Sequence, residues 1–337
     1  MTTLYLIRHA EAEGNVFRRL HGQHNAFVTE NGKKQIEALK KRFADVPIDA
    51  VYASDLYRTC LTATAIYRPK GLPLHRDSRL RELYCGEWED FPFGYCAHID
   101  PERNRAFSLS PRTWGVEGSE PFEVYTGRFL EAMTEIARRH EGGSVAIFSH
   151  GMVMRGVLQR LFFPEKDNLG HSENTAVTKL LWDGENFTLE YLNDDSHIPY
   201  EISTLGKQQW WRGNGKKDFN MWYRDAAKED APLFAALGCP LEEGARVSML
   251  GDAATGLLLT RPLDGEFHEL SYLALLPEHR GIGLSAQLLG EAVSIARKKG
   301  KNFLRLGRQP DCPAAEALFS CYGFRDAVLC ISPDFEE

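Results

Sequence analysis

The sequence has no apolar run long enough to cross a bilayer, and its first residues lack the basic and apolar stretches of a secretion signal. Both absences point to the cytosol and away from a membrane partner. Positive charge is not in excess either. Against 40 Lys and Arg stand 47 Asp and Glu, and the net charge of −7 offers no basic face to a nucleic acid. There is no C-x-x-C among the 7 cysteines, whose number is odd and whose spacing is irregular. A zinc ribbon and a disulfide framework are therefore not expected. Internal repeats and low-complexity tracts are missing too. What is present is an ordinary soluble composition, 43% hydrophobic and 26% charged, in 337 residues. That length exceeds what one hydrophobic core usually organises, so two domains are expected.

Strands and helices alternate through the first part. Apolar runs at 3–7, 49–55 and 143–150 read as strands. Ile36, Leu39 and Phe43 recur at helical spacing behind Thr29, which can cap the helix. Further helices are predicted at 56–68, at about 120–140 and at 151–162, and two more strands at 176–183 and 187–193. The pattern predicts an α/β fold, a mainly parallel sheet covered by helices on both faces. Composition shifts near 200–220, where Gly213 to Lys217 reads as a turn or linker beside Trp210 and Trp211. A second α/β pattern follows, with helices at 226–237, 284–298 and 313–322 and strands at 246–250, 255–263, 266–277 and 303–308. The resulting division is 1–205, a linker at 206–217, and 218–337.

Chemistry enters at Arg8-His9, where the first apolar strand ends. Arg58 opens the helix after the second strand, and His150 lies between the third and its helix, which begins at Gly151. The carboxyl ends of strands in an open α/β sheet line one crevice. Two arginines and two histidines brought to one point describe an anion site, since guanidinium forks match phosphate oxygens. The same arginines disfavour an imidazolium and keep His9 neutral and nucleophilic. Such an imidazole can attack phosphorus, with Arg8, Arg58 and His150 holding the equatorial oxygens. Glu82, in "LRELYCGEWED", can protonate the leaving alkoxide. No metal is required, and no metal-ligand spacing is present.

In that order, "LIRHAEAEGN", "SDLYRTCLTA", "LRELYCGEWED", "EGSE" and "SHGMVMR" resemble the histidine phosphatase superfamily, the group of cofactor-dependent phosphoglycerate mutases and ribazole-phosphate phosphatases. The resemblance spans about residues 1–200 and implies a three-layer phosphoglycerate mutase-like sheet. It implies His9 as the phosphorylated nucleophile, Glu82 as proton donor, Arg8, Arg58 and the catalytic His150 as the phosphate pocket, and Asn15 as a further pocket residue; the Gly151 backbone and the helix start after His150 add fixed donors for the phosphate, an anion nest. The family's RHGET is here Arg8-His9-Ala10-Glu11-Ala12, and Asn25 with Ala26-Phe27 replaces a common Asp and Pro-Leu. His21 and Gln23 follow closely enough to border the pocket. The aromatic segment 91–116 reads either as a packed surface loop or as a lid over the substrate.

A second glycine-rich turn, Arg280-Gly281-Ile282-Gly283-Leu284-Ser285, joins an apolar strand to a helix, and "EALFSCYGF" follows about thirty residues later. Together they resemble GNAT-type N-acetyltransferases over about 218–337, implying a mixed sheet splayed between two central strands and acetyl-CoA in the cleft. The turn residues would cradle the pyrophosphate, and the strand bearing Leu273, Ala274 and Leu275 would meet the pantetheine arm. Phe319 stands where the family tyrosine protonates the departing thiolate. Tyr322 or Cys321 is a substitute donor and Glu269 a possible base, so acetyl-CoA binding is expected ahead of efficient transfer. The expectation is a bifunctional cytosolic protein that hydrolyses a small phosphorylated metabolite and binds acetyl-CoA. The alternatives are a mutase-type phosphotransferase and a phosphatase regulated by a non-catalytic acetyl-CoA domain. The oligomeric state is not readable.

Overall fold

The computed structural model describes residues 1–166, 169–208, 219–308, 313–332 and 334. The expected linker residues Trp210, Trp211 and Gly213 to Lys217, as well as Cys312, lie outside the described residues. The first part runs β1 (Thr2–Arg8), α1 (Glu13–Phe17), α2 (Glu30–Arg42), β2 (Ala50–Ala53), α3 (Tyr57–Ala63), α4 (Tyr67–Lys70) and β3 (Leu74–Arg76). It continues with α5 (Phe93–Ile99), α6 (Pro101–Leu109), α7 (Phe122–Arg139), β4 (Ser144–Ser149), α8 (Gly151–Phe162), β5 (Val177–Trp182), β6 (Phe187–Asp194) and α9 (Thr204–Lys207). Its sheet has the order β3-β2-β4-β1-β5-β6, parallel from β3 to β1 and antiparallel beyond.

Alternation along each strand fills two cores. Leu4 and Leu6 of β1 pack with α7 residues Phe129, Met133 and Ile136 and with Val157 of α8. Ile7 faces the other way, toward Ile36 and Leu39 of α2 and Ala63 of α3. Thr29 caps α2 as predicted, its side chain accepting from Gly32 N. The helix expected at 56–68 is instead two, α3 and α4. Thr62 Oγ1 donates to Arg58 O and accepts from Ala10 N, and Thr64 Oγ1 donates back to Leu61 O, so local hydroxyl bonds compete with the helix.

The second part runs β7 (Trp222–Asp225), α10 (Ala231–Ala236), β8 (Ala245–Leu250), β9 (Ala253–Pro262), β10 (Phe267–Leu275), α11 (Leu284–Lys298), β11 (Phe303–Leu306), α12 (Pro313–Cys321) and β12 (Val328–Cys330). The helix expected at 226–237 begins later, because Asp230 Oδ2 accepts from Ala227 N and folds the preceding residues into a cap. The sheet order is β12-β11-β10-β9-β8-β7. Only β10 and β11 are parallel, and their pairing stops at Leu270–Leu306 while β10 continues to Leu275 against β9 alone. The two central strands therefore part, with a register shift between Leu270 and Tyr272.

The second sheet and α11 share a core with α1 and the loop after it. Phe17 and Phe27 of the first part pack in one cluster with Met221, Leu284, Leu288 and Leu289. Helix α11 lies on α1 so closely that a Cβ at Gly290 would stand 2.5 Å from Phe17 Cβ. Buried charges cross the same contact. Arg19 pairs with Asp90 and with Glu291 at 2.8 Å each, and Arg297 pairs with Glu13. Gln208, directly after α9, also stays with the first part, since its Nε2 donates to Asn15 O at 2.9 Å.

Candidate active site

Parallel pairing of β1 with β4 sets Arg8 opposite Ser149, so His9 and His150 leave the sheet side by side. Their ring centroids are 5.3 Å apart. Beside them a cavity of about 180 Å³ is lined by Arg8, His9, Asn15, Arg58, Glu82 and Gly151 among others. Of the first site's predicted residues these six reach the cavity wall. His150 does not. It is fully buried, its Nδ1 accepts from Arg58 Nε at 3.1 Å, and its Nε2 lies 2.9 Å from Ser54 Oγ. With both nitrogens engaged, His150 acts on the pocket through Arg58, which differs from the expectation that it would itself hold phosphate oxygens.

The Nδ1 of His9 stands 2.8 Å from Ala10 O. A proton on Nδ1 satisfies that carbonyl and leaves Nε2 with its lone pair toward the cavity. Burial, then Arg58 and Arg8, holds His9 well below the usual imidazole range, so it is neutral at physiological pH. Ala10 is not among the residues with positive φ, so replacing the family's glycine distorts nothing there. Ala12 caps α1 without a side-chain bond; instead Asn15 Oδ1 accepts from Ala12 N at 2.9 Å.

Arg58 is fully braced. Its Nη1 donates to His24 O and its Nη2 to Gly22 O, both at 2.8 Å. Burial lowers its guanidinium to about 10, still charged at neutral pH. Arg8 Nη1 donates to Ser172 O, while its buried Nε has no partner among the described residues. A buried donor left unpaired costs roughly 1–3 kcal/mol, which an anion oxygen in the cavity would recover. Gly151 makes room for that guanidinium, since a Cβ there would stand 3.2 Å from Arg8 Nε.

Glu82 occupies most of the anion nest expected at the start of α8. Its carboxyl accepts from Met152 N and Val153 N, at 2.9 and 2.7 Å, and from Leu83 N at 3.0 Å. Burial raises its pKa despite these three bonds, which favour the charged form. A buried carboxyl shifted toward its neutral form is suited to giving up a proton at the cavity wall.

Several lining residues carried no role in the sequence. Arg155 and Met152 come from α8, and His171 and Ser172 from the loop before β5. Arg155 lies one helical turn beyond Gly151, and that spacing is the signal that would have found it. His21 reaches the wall as expected, whereas Gln23 turns to Glu82 O and Glu120. Segment 91–116 is mostly two helices, followed by a turn at 110–116: α5 and α6 roof the cavity with Phe93, Asn104, Phe107 and Ser108. Among the described residues, Glu13, His21 and His24 are the one group close enough to share a cation. Arg297 already supplies a positive charge to Glu13 there and lies 3.3 Å from His24 Nε2.

In the second part, Gly281 and Gly283 adopt φ of 75° and 86°, with open space where a Cβ would be. Gly281, Ile282 and Gly283 are exposed, and Leu284, nearly fully buried, and Ser285 open α11. Arg280 turns back to donate from Nε to Leu275 O at 2.9 Å. Leu273, Ala274 and Leu275 lie on the stretch of β10 beyond its pairing with β11. The parted strands and the open glycine turn at a helix start suit a pyrophosphate-bearing thioester. Phe319 packs edge-on against Phe324. Tyr322 packs at a tilt against Phe17 across the domain contact, and burial raises its hydroxyl above the usual phenol range, making it a poor acid for a thiolate. Glu269 accepts from Ser271 Oγ at 2.5 Å.

The profile of the Histidine phosphatase superfamily (branch 1) matches residues 4–195, more than half of the chain, and that of the Acetyltransferase (GNAT) family matches 188–324. The chain belongs to the histidine phosphatase superfamily and carries a GNAT domain behind it. The second match begins within β6 of the first sheet, whereas the second sheet begins at β7. Among curated relatives, phosphoserine phosphatase 1 of Hydrogenobacter thermophilus is 31% identical over 47% of this chain and 74% of its own. Phosphoglycerate mutase-like protein 4 of Arabidopsis thaliana is 28% identical over 58% of this chain and 86% of its own. Among solved structures, Bacillus stearothermophilus YhfR is 33% identical with a TM-score of 0.57, over 59% of this chain and 100% of that one. Among the described residues, no helix is long and apolar enough to cross a membrane.

Proposed function

We propose that the N-terminal domain is a phosphomonoesterase working through phospho-His9. The observation that carries this reading is the bare Nε2 of a neutral His9, set on one small cavity with Arg8, Arg58 and Glu82, whose pKa burial raises. His9 Nε2 attacks phosphorus, the P–O ester bond breaks, and Glu82 gives its proton to the departing oxygen. Arg8 and Arg58 carry the charge on the remaining oxygens, with His150 fixing Arg58. Glu82, now a carboxylate, takes a proton from the water that cleaves the His9–P bond. The products are the alcohol and inorganic phosphate. A cavity of about 180 Å³ favours a small ester. The relative named as a phosphoserine phosphatase makes O-phosphoserine a first substrate to assay.

A phosphotransferase reading draws support from relatives named as phosphoglycerate mutases. Incubation with 3-phosphoglycerate and trace bisphosphoglycerate separates the two: free phosphate is expected, and isomer without free phosphate would overturn hydrolysis.

Residues 218–337 we assign to acetyl-CoA binding and residues 1–205 to the phosphatase. Arg280 to Ser285 would hold the pyrophosphate, and Leu273 and Leu275 would flank the pantetheine arm. When bound, acetyl-CoA supplies an acetyl thioester for transfer to an amine. Phe319 and the weakly acidic Tyr322 favour binding over transfer, so the domain also suits a sensor acting on the phosphatase. Calorimetric titration should show acetyl-CoA binding that Gly283→Ala weakens, since alanine resists φ of 86°. Undiminished binding in that variant would refute the assignment.

A further inference from the structure

The wall of the phosphate cavity is not built by one domain. Asn220, in the segment leading into β7, lines it beside Arg18 of the first domain. Arg18 Nε donates to Asn220 Oδ1 at 2.9 Å. Arg18 holds φ of 56°, a conformation L side chains rarely adopt, and its guanidinium carbon lies 4.7 Å from the Phe93 ring centroid. Its carbonyl accepts from Phe93 N at 2.9 Å, tying it to the roof helix α5.

Asn220 is fixed as firmly. On one side α11 grips its neighbours: Met221 N donates to Gln287 Oε1 at 2.9 Å, and Gln287 Nε2 donates to Phe219 O at 2.7 Å. On the other side Gly94 of α5 lies on the Asn220 and Met221 carbonyls, where a Cβ would come within 2.5 and 2.3 Å. Arg18 and Asn220 also line a neighbouring cavity of about 590 Å³, whose wall includes Ile282 and Gly283. An organic group held by the pair thus lies between the phosphate and the glycine turn of the second domain.

We propose that Arg18 and Asn220 form the leaving-group subsite of the phosphatase, so that the acetyltransferase domain supplies a specificity-determining residue to the first domain's reaction. The inference rests on the phosphohistidine reading above. A guanidinium oriented by a carboxamide recognises an oxygen-rich, anionic organic group such as a carboxylate. That group departs with the ester oxygen when the His9–P bond forms. Hydrolysis of phospho-His9 involves only the phosphoryl group and water. The subsite therefore acts on the first half-reaction and not the second.

Rapid-quench kinetics on the full chain test this, with 3-phosphoglycerate and phenyl phosphate as probes. Asn220→Ala should lower kcat/KM for 3-phosphoglycerate about tenfold, as loss of a hydrogen bond to a charged group would. Phenyl phosphate should change less than about twofold, and phosphoenzyme hydrolysis should keep its rate. Asn220→Asp, a shape-conserving variant should alanine fail to fold, puts a negative charge beside an anionic leaving group and should discriminate more strongly against 3-phosphoglycerate. Equal losses on both probes, or slowed phosphoenzyme hydrolysis, would mean a merely structural role and overturn the inference. Unchanged discrimination with normal phosphoenzyme would overturn it alone. No phosphoenzyme in the unmodified protein would remove the phosphohistidine reading and the inference with it.

Discussion

Arg19→Ala removes the cation at the centre of the domain contact. Its Nε reaches Asp90 and its Nη1 reaches Glu291, both at 2.8 Å, and Nη2 donates to Ser294 Oγ at 2.8 Å. The arginine side chain is 2% exposed and the two carboxylates 8% each. Removing one partner of a buried pair typically costs about 3–5 kcal/mol, because the stranded charge stays buried. Partial cover remains here, from Arg246 at 3.4 Å to Glu291 and from His21 at 3.2 Å to Asp90. The lower end, about 3 kcal/mol, is therefore expected, or roughly 6–12 °C in Tm for domains of this size. Scanning calorimetry of the full chain should show that drop and a splitting of one transition into two, as the domains lose their shared core. A single transition lowered by less than about 2 °C would refute the reasoning. The acid limb supplies a second readout. Burial would raise the Asp90 carboxyl, but Arg19 and then His21 hold it well below the ordinary carboxylate range. A depressed carboxyl stabilises the fold fully above about pH 4, and the contribution fades as pH falls through its folded value. Arg19→Ala should flatten that acid loss.

Other consequences follow from the site and the contact. Because His9 is held well below the imidazole range and Glu82 is raised, kcat/KM should stay high as pH falls through 6.5 and decline on the alkaline side as Glu82 loses its proton; an acid limb near 6.5 would contradict this. Glu82→Gln should slow phosphorylation by alkyl phosphates about 10²–10⁴-fold and by p-nitrophenyl phosphate far less, and equal losses would remove its role as acid. Gly151→Ala should raise KM severalfold by crowding Arg8, with melting unchanged; an unaltered KM counts against Arg8 as the phosphate clamp. Gly290→Val should cost about 1–3 kcal/mol by forcing α11 off Phe17, measured by denaturant unfolding, and no loss would count against the close helix contact.

Residues at strand ends were legible in the sequence because the ends of parallel strands share one edge. Arg8, His9 and Arg58 reach the cavity for that reason, as does Glu82 from its loop. What no spacing encodes is which neighbour each side chain meets. His150 follows its strand as predicted, yet Ser54 and Arg58 take both ring nitrogens. Glu82 reaches the cavity, but it also takes two amides that a helix start alone would have offered to phosphate. Arg19, Glu291 and Arg297 sit in the sequence like ordinary surface charges, and only the docking of α11 on α1 buries them. Asn220 reaches the cavity from the other domain, beyond the reach of any local pattern. In the second part the long helix at 284–298 was plain from the glycine turn that opens it. The short strands β3 and β12 were not, since three residues give too little alternation to read.

The central claim is that His9 carries the phosphoryl group. Acid-sensitive, base-stable label on the protein, trapped by rapid quench with a ³²P-phosphomonoester and mapped to the peptide containing His9, is the direct measurement. The account predicts stoichiometric label that decays at the turnover rate and is absent from His9→Ala. Turnover persisting in His9→Ala, or label on another residue, would contradict it.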